Sequence, residues 1–85
     1  MKFRKKPVVI EAVLWNGMQV SEVTEWIEDA LHNDTMMRFG DKVVLKTLEG
    51  NMIANPGDYI IKGVKGELYS CNPDIFEQTY DPIKD

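Results

Sequence analysis

Tight-turn sequences recur every few residues in the second half of the chain, and they constrain the fold more than any other feature. Glycine stands in four of these breaks, at positions 40, 50, 57 and 66. Glycine readily adopts the positive φ that the tight turns of β-hairpins require. The short segments between the breaks have the composition of strands. The pattern predicts five strands, at residues 36–39, 42–48, 52–54, 59–64 and 68–71.

Two further elements precede these strands. Residues 8–15 are rich in β-branched side chains and carry one charge, at Glu11, which predicts a strand buried on most of both faces. Ser21 is a good helix N-cap, and the apolar residues after it recur with the period of an amphipathic helix. The helix is therefore predicted over 21–33, and its apolar stripe consists of Val23, Trp26, Ile27, Ala30 and Leu31.

The C-terminal residues predict one short helical turn followed by an extended piece. Asn72 is suited to cap a helix and Pro73 to occupy its first position, so that the turn is expected to reach Phe76. Residues 77–82 are expected to be extended. The order of elements predicts one α+β domain over residues 1–85, with about five strands in a small antiparallel meander and one amphipathic helix on one face.

Charge and composition exclude several classes of protein. Fourteen acidic residues against ten basic ones give a net charge of −4, whereas a general nucleic-acid binder needs a broad basic face. The longest apolar run is interrupted by Glu11 and is far shorter than the roughly 20 residues that span a bilayer. Cys71 is the one cysteine, and no signal-peptide cleavage site follows the basic start. We therefore expect a cytoplasmic protein with no membrane partner.

No catalytic or cofactor-binding pattern stands out. Cys71 and His32 could serve as nucleophile and base, but no third member stands at a diagnostic spacing, and a structural cysteine is the more frequent case. Glu28 and His32 share one helix face, but no second histidine or cysteine pair completes a zinc site. Glycine-rich phosphate loops are absent. We expect no catalytic residue, no metal and no cofactor.

Two surfaces are candidates for binding a partner. Residues 55–80 hold four of the eight aromatic residues of the chain, and tyrosines are favoured at recognition sites. The candidate residues of this surface are Asp58, Tyr59, Lys62, Lys65, Tyr69 and Asp74. The alternative is the acidic face of the helix, which carries no lysine or arginine and suits a basic partner. It consists of Glu22, Glu25, Asp29 and His32. The competing explanations are core packing of the aromatic residues and solvation of the acidic face.

Several of these segments resemble a family of small proteins encoded by phages and prophages. The similar segments are residues 5–12, Thr47-Leu48-Glu49-Gly50, the long motif Ala-Asn-Pro-Gly-Asp-Tyr-Ile-Ile-Lys-Gly-Val-Lys-Gly-Glu at 54–67, and Cys-Asn-Pro-Asp-Ile-Phe-Glu at 71–77 with Thr79-Tyr80. The helix and its neighbours, about 17–44, are the variable part of that family. Ser70 stands where its members commonly have proline. The resemblance implies expression in the cytoplasm of a bacterial host and no particular activity.

The leading functional hypothesis is a non-enzymatic phage accessory protein that binds a host protein or a small signalling ligand, in host takeover or anti-defence. The first alternative is a structural or assembly component of the phage particle. The second and least favoured is a small hydrolase or nuclease. A chain this short commonly gains stability by oligomerisation, and a meander leaves sheet edges open, so that we also expect a homodimer.

Overall fold

The computed structural model describes residues 9–81, in which six strands and two helices occur. In chain order these are β1 (Glu11–Leu14), α1 (Glu25–His32), β2 (Met36–Phe39), β3 (Lys42–Thr47), β4 (Gly50–Ala54), β5 (Tyr59–Lys62), β6 (Leu68–Cys71) and α2 (Pro73–Thr79). The predicted α+β class is confirmed, and a strand is found in each segment where one was predicted. Val8, the predicted first residue of the first strand, and Pro82, the predicted last residue of the C-terminal extended piece, lie outside the described residues. Neither described helix is long and apolar enough to cross a membrane.

The strands form two antiparallel sheets, not the single meander that the turn pattern predicted. The first sheet has the order β1-β5-β6 and the second β2-β3-β4. The chain changes sheet between β4 and β5, where the backbone pairs with the end of β1: Trp15 N donates to Asp58 O at 2.9 Å, and Gly57 N donates to Trp15 O at 2.7 Å. The prediction of one sheet is wrong because this proline-glycine turn joins strands of two different sheets. A hairpin turn would join neighbouring strands of the same sheet.

The hydrophobic core lies between the inner faces of the two sheets. Side chains alternate along each strand, so that Val13 and Ile60 face inward from the first sheet and Val43 and Leu45 from the second. Strand β6 lies against β3 and β4, and the Ser70 hydroxyl donates to a β4 carbonyl at 3.0 Å. The core cluster consists of Val13, Trp15, Ile27, Ala30, Met36, Val43, Leu45, Ala54, Ile60 and Leu68.

Helix α1 is shorter than predicted because its N-cap is Thr24. The Thr24 hydroxyl accepts a hydrogen bond from Ile27 N at 3.2 Å. Ser21, which was predicted to be the cap, instead accepts from Leu14 N at 2.9 Å, and its own amide donates to Leu14 O at 2.8 Å. Ser21 therefore extends the pairing of β1, and the helix begins only at Glu25.

The buried face of α1 is also narrower than the predicted stripe. Ile27 and Ala30 are buried and Trp26 is half-buried, but Val23 and Leu31 are exposed. Val23 precedes the helix, so that the 3.6-residue period does not apply to it. With eight residues on a small core, the helix makes about two turns and buries two side chains.

Helix α2 begins as predicted and runs further. Asn72 is the N-cap, its side-chain oxygen accepting from Asp74 N at 2.8 Å, and Pro73 occupies the first turn. Residues 77–79 are helical, so that the prediction of an extended piece from 77 is wrong for them. The longer helix brings Phe76 and Tyr80 onto the first sheet, and this tertiary contact supports the additional turn.

The turn after β1 depends on a glycine. The Asn16 side chain accepts from Met18 N and Gln19 N at 2.8 and 2.9 Å, which closes the turn. Gly17 has a φ of +98°, and a Cβ at this position would lie 3.0 Å from Cγ of Pro56. The backbone conformation and the close proline both require the absence of a side chain.

Candidate functional site

Four aromatic side chains of the 55–80 surface pack on one another between α2 and the first sheet. The rings of Tyr59 and Phe76 are stacked, with centroids 3.9 Å apart and planes at 12°. Phe76 and Tyr80 follow with centroids 5.0 Å apart, and the Tyr80 hydroxyl lies 3.4 Å from that of Tyr69. Tyr59 and Tyr69 share one face of the sheet because both alternate with inward-facing residues. This aromatic cluster therefore packs α2 against the first sheet.

Two ionisable groups at the aromatic cluster, the Tyr69 hydroxyl and the Cys71 thiol, have raised pKa values that favour their neutral forms. Burial, together with the hydroxyl and charge of Tyr80, raises the pKa of Tyr69 to about 12. Burial, and then the charge of Asp58, raises the pKa of the Cys71 thiol. Because a thiolate is the reactive form of cysteine, this environment disfavours Cys71 as a nucleophile. His32, its conceivable base, lies exposed in the last turn of α1.

The two predicted aspartates of this surface have local backbone contacts. The Asp58 carboxylate accepts from Asn55 N at 2.9 Å, and Asp58 N donates to Asn55 O at 2.9 Å. These bonds form the turn that leads from one sheet to the other. Asp74 is exposed in the first turn of α2, where an acidic residue interacts favourably with the helix dipole.

The two predicted lysines lie away from the aromatic cluster. Lys62 is on the opposite face of the first sheet from Tyr59, and its ammonium lies 3.7 Å from the carboxylate of its cross-strand partner Glu11. Lys65 is exposed in the turn between β5 and β6. The structure thus brings Tyr59 and Tyr69 together but does not join them to either lysine in one concave site.

A small cleft of about 220 Å³ lies on the Lys62 side, between α1 and the first sheet. Asp29 and Trp26 contribute to its walls, and the indole Nε1 of Trp26 is buried without an acceptor among residues 9–81. Asp29 thus lies at this cleft, whereas Glu22 precedes the N-cap of α1. The four residues predicted for the acidic face are therefore not all on the helix: Glu25, Asp29 and His32 are, and Glu22 is not.

Sequence reasoning missed the outer face of the second sheet, by which we mean Met37, Phe39, Lys42, Val44, Lys46, Asn51 and Ile53. Met37, Val44 and Ile53 are register partners across the three strands and form an apolar row. Ile53 is 51% exposed, and Phe39 at the end of β2 is 57% exposed. Since α1 contributes to the core between the sheets and α2 packs on the first sheet, neither helix covers this row.

The outer face is positively charged at both sides of the apolar row. Lys42 and Lys46 stand two residues before and after Val44 on β3 and are exposed. No acidic residue belongs to this face as defined. A sequence signal for it exists: Val43-Val44-Leu45 is apolar on both faces of the strand, whereas a strand with one solvated face alternates.

No protein-family model, no curated protein and no solved structure matches the chain. The resemblance to phage and prophage proteins therefore stays a prediction from the sequence. Within residues 9–81, no three His, Cys, Asp or Glu side chains are grouped as metal ligands would be.

Proposed function

We propose that this chain is a non-enzymatic binding module that holds a partner protein on the outer face of its second sheet. The observation that supports this proposal is the apolar row of Met37, Val44 and Ile53, which neither helix of residues 9–81 covers. Met37 and Val44 are half-buried, and Ile53 and Phe39, which extends the row, are exposed. An apolar centre with a charged or polar rim is the composition of protein–protein interfaces. Contiguous exposed apolar surface on a small protein often marks such a contact.

The contacts of the 55–80 surface support placing the site on the second sheet. Tyr59 and Phe76 use their ring faces against each other, at 3.9 Å, and Tyr69 and Tyr80 meet at their hydroxyls. Rings stacked within the protein have less area to offer a ligand. The role best supported for these aromatic residues is to attach α2. In the part of the chain that the structure describes, the outer face of the second sheet exposes apolar area at Phe39 and Ile53.

The resemblance to phage and prophage proteins supports a biological setting for this module. It favours an accessory protein that acts in the cytoplasm of a bacterial host, with a host protein as the partner. The raised pKa of Cys71 is consistent with a role in binding, since its thiol is kept in the less reactive form.

Site-specific photo-crosslinking in a bacterial host tests the proposal. A benzoylphenylalanine is placed at Phe39 or at Ile53, and, as the matched control, at Val64, which is 72% exposed in the turn between β5 and β6. We expect the same discrete protein adduct from positions 39 and 53 and none from 64. The adduct is identified by mass spectrometry, and its binding is measured again with both purified proteins.

The proposal fails if positions 39 and 53 give no adduct, or if position 64 gives the same one. A substitution in the row provides a second readout, because Val44→Glu places a charge at the centre of the outer face. It should abolish binding of the purified partner, and circular dichroism establishes whether the variant is folded. Full binding by a folded Val44→Glu chain is incompatible with a contact on this face.

A further inference from the structure

We infer that the segment bound on the outer face of the second sheet is acidic as well as apolar: its apolar side chains cover the row, and Asp or Glu residues on both flanks contact Lys42 and Lys46. The inference rests on the proposed function and specifies the chemistry of the partner at the same site. Three observations support it: the spacing of the lysines, the absence of an acidic register partner for either lysine, and the poor charge match of a symmetric contact between two copies of this face.

The spacing of the lysines matches a segment that lies along the apolar row. Strands in a sheet are about 4.8 Å apart, so that a row over three strands spans roughly 10 Å, enough for two or three apolar side chains of a partner. Residues along a strand rise about 3.3 Å each, which places Lys42 and Lys46 roughly 7 Å to either side of the row at Val44. A segment seated on the row therefore has a lysine on each flank.

The two lysines have no carboxylate opposite them in the sheet. The register partner of Lys46 is Asn51 on β4, and that of Lys42 is Phe39 on β2. Lys42 lies 3.4 Å from the carboxylate of its neighbour Asp41, but both side chains are about half exposed, and such surface pairs contribute little. On a chain of net charge −4, this face is locally positive and attracts acidic groups.

A second copy of this chain fits the outer face less well than an acidic partner. In a two-fold dimer the same patch faces itself, which would bring the lysines of the two copies together without any acidic residue of this face between them. A head-to-tail contact between the acidic residues of α1 and the lysines of another copy would grow into open chains unless a ring closes. Two lysines also neutralise too few phosphates for a nucleic acid to be the main ligand.

Two synthetic peptides with identical apolar residues test the inference, one with glutamate flanks and one with lysine flanks. Each is titrated into the full ¹⁵N-labelled chain, and the amide shifts are followed by NMR. We expect the acidic peptide to bind and to shift the amides of Met37, Val44 and Ile53. The basic peptide should bind much more weakly, and salt should weaken the acidic complex.

A pair of charge-matched variants localises the electrostatic contribution. Lys46→Glu replaces the attraction between the lysine and the acidic peptide by repulsion. It should lower the affinity for the acidic peptide by roughly two- to thirtyfold. Lys65→Glu makes the same change of net charge on an exposed turn and should leave the affinity close to that of the parent chain. Equal losses in the two variants would mean that only net charge matters, which overturns the inference.

The outcomes separate this inference from the proposed function. If the two peptides bind the row equally, or the basic one binds better, the partner is not acidic, although the outer face still binds. If the acidic peptide does not bind, or shifts amides only elsewhere, the inference is overturned, and the crosslinking experiment decides separately whether the outer face binds any protein. The protein without peptide could also self-associate as its concentration rises. If Lys46→Glu abolished that self-association, the occupant of the outer face would be another copy, and the inference would be overturned as well.

Discussion

The two tryptophans provide a direct test of the core, because the indole N–H of each is buried, but only that of Trp15 has a hydrogen-bond acceptor among residues 9–81. Trp15 is 4% exposed, its Nε1 donates to Asp41 O at 2.7 Å, and the Arg38 guanidinium lies 5.5 Å from its ring centroid. Trp26 is half-buried, and its Nε1 has no acceptor among residues 9–81. The same substitution, tryptophan to phenylalanine, should therefore affect the free energy of unfolding very differently at the two positions.

The magnitudes follow from what each indole contributes. Trp15→Phe loses a hydrogen bond of about 0.5–1.5 kcal/mol and part of a cation–π contact of similar size. It also leaves unfilled the space of the missing ring atoms, and the total destabilisation is roughly 2–4 kcal/mol. Trp26→Phe loses less buried area and removes a buried donor without a partner, whose burial costs about 1–3 kcal/mol. The net change for Trp26→Phe should be within about 1 kcal/mol of zero.

Urea unfolding followed by far-ultraviolet circular dichroism measures both variants without relying on tryptophan fluorescence. With a slope of about 1 kcal/mol per molar urea for a small protein, Trp15→Phe should lower the midpoint by roughly 2 M or more. The midpoint of Trp26→Phe should stay close to that of the parent chain. A loss at Trp26 as large as the loss at Trp15 would refute the reasoning, since it would mean that the unpaired indole N–H carries no cost in the folded state.

Three further predictions concern other parts of the structure. Gly17→Ala should destabilise the fold by about 1–3 kcal/mol in urea unfolding, because φ is +98° and a proline carbon lies 3.0 Å from the new Cβ; Gly40→Ala, with positive φ but open space, should cost less. The pKa of Tyr69 is about 12 in the folded chain, and that of an unfolded tyrosine is about 10, so that the free energy of unfolding should fall as pH rises from 10 to 12. Tyr69→Phe should make the free energy of unfolding depend less on pH in this range. Alkylation of Cys71 by iodoacetamide at neutral pH should be slower in the folded chain than after denaturation, and Asp58→Asn, which removes a nearby negative charge, should accelerate it.

The local elements of this protein could be predicted from the sequence because their signals are local. A glycine at each tight turn, and the Asn72-Pro73 start of α2, reflect conformational preferences of single residues and their immediate neighbours. The N-cap of α1 shows where such signals become ambiguous. Ser21 and Thr24 can both cap a helix, and only the pairing of Ser21 with Leu14 across the end of β1 decides between them.

Sheet membership and the candidate site were decided by the tertiary structure. A proline-glycine turn has the same sequence whether it joins two strands of one sheet or two sheets, and it is the pairing of Gly57 and Asp58 with Trp15 that separates β4 from β5. The aromatic residues of 55–80 indicated a surface, but α2 packs on them, whereas Phe39 and Ile53 on the second sheet are exposed. The sequence determined which segments form strands and which side chains are apolar. Which apolar side chains pack inside the chain, and which stay exposed, depends on contacts between distant residues.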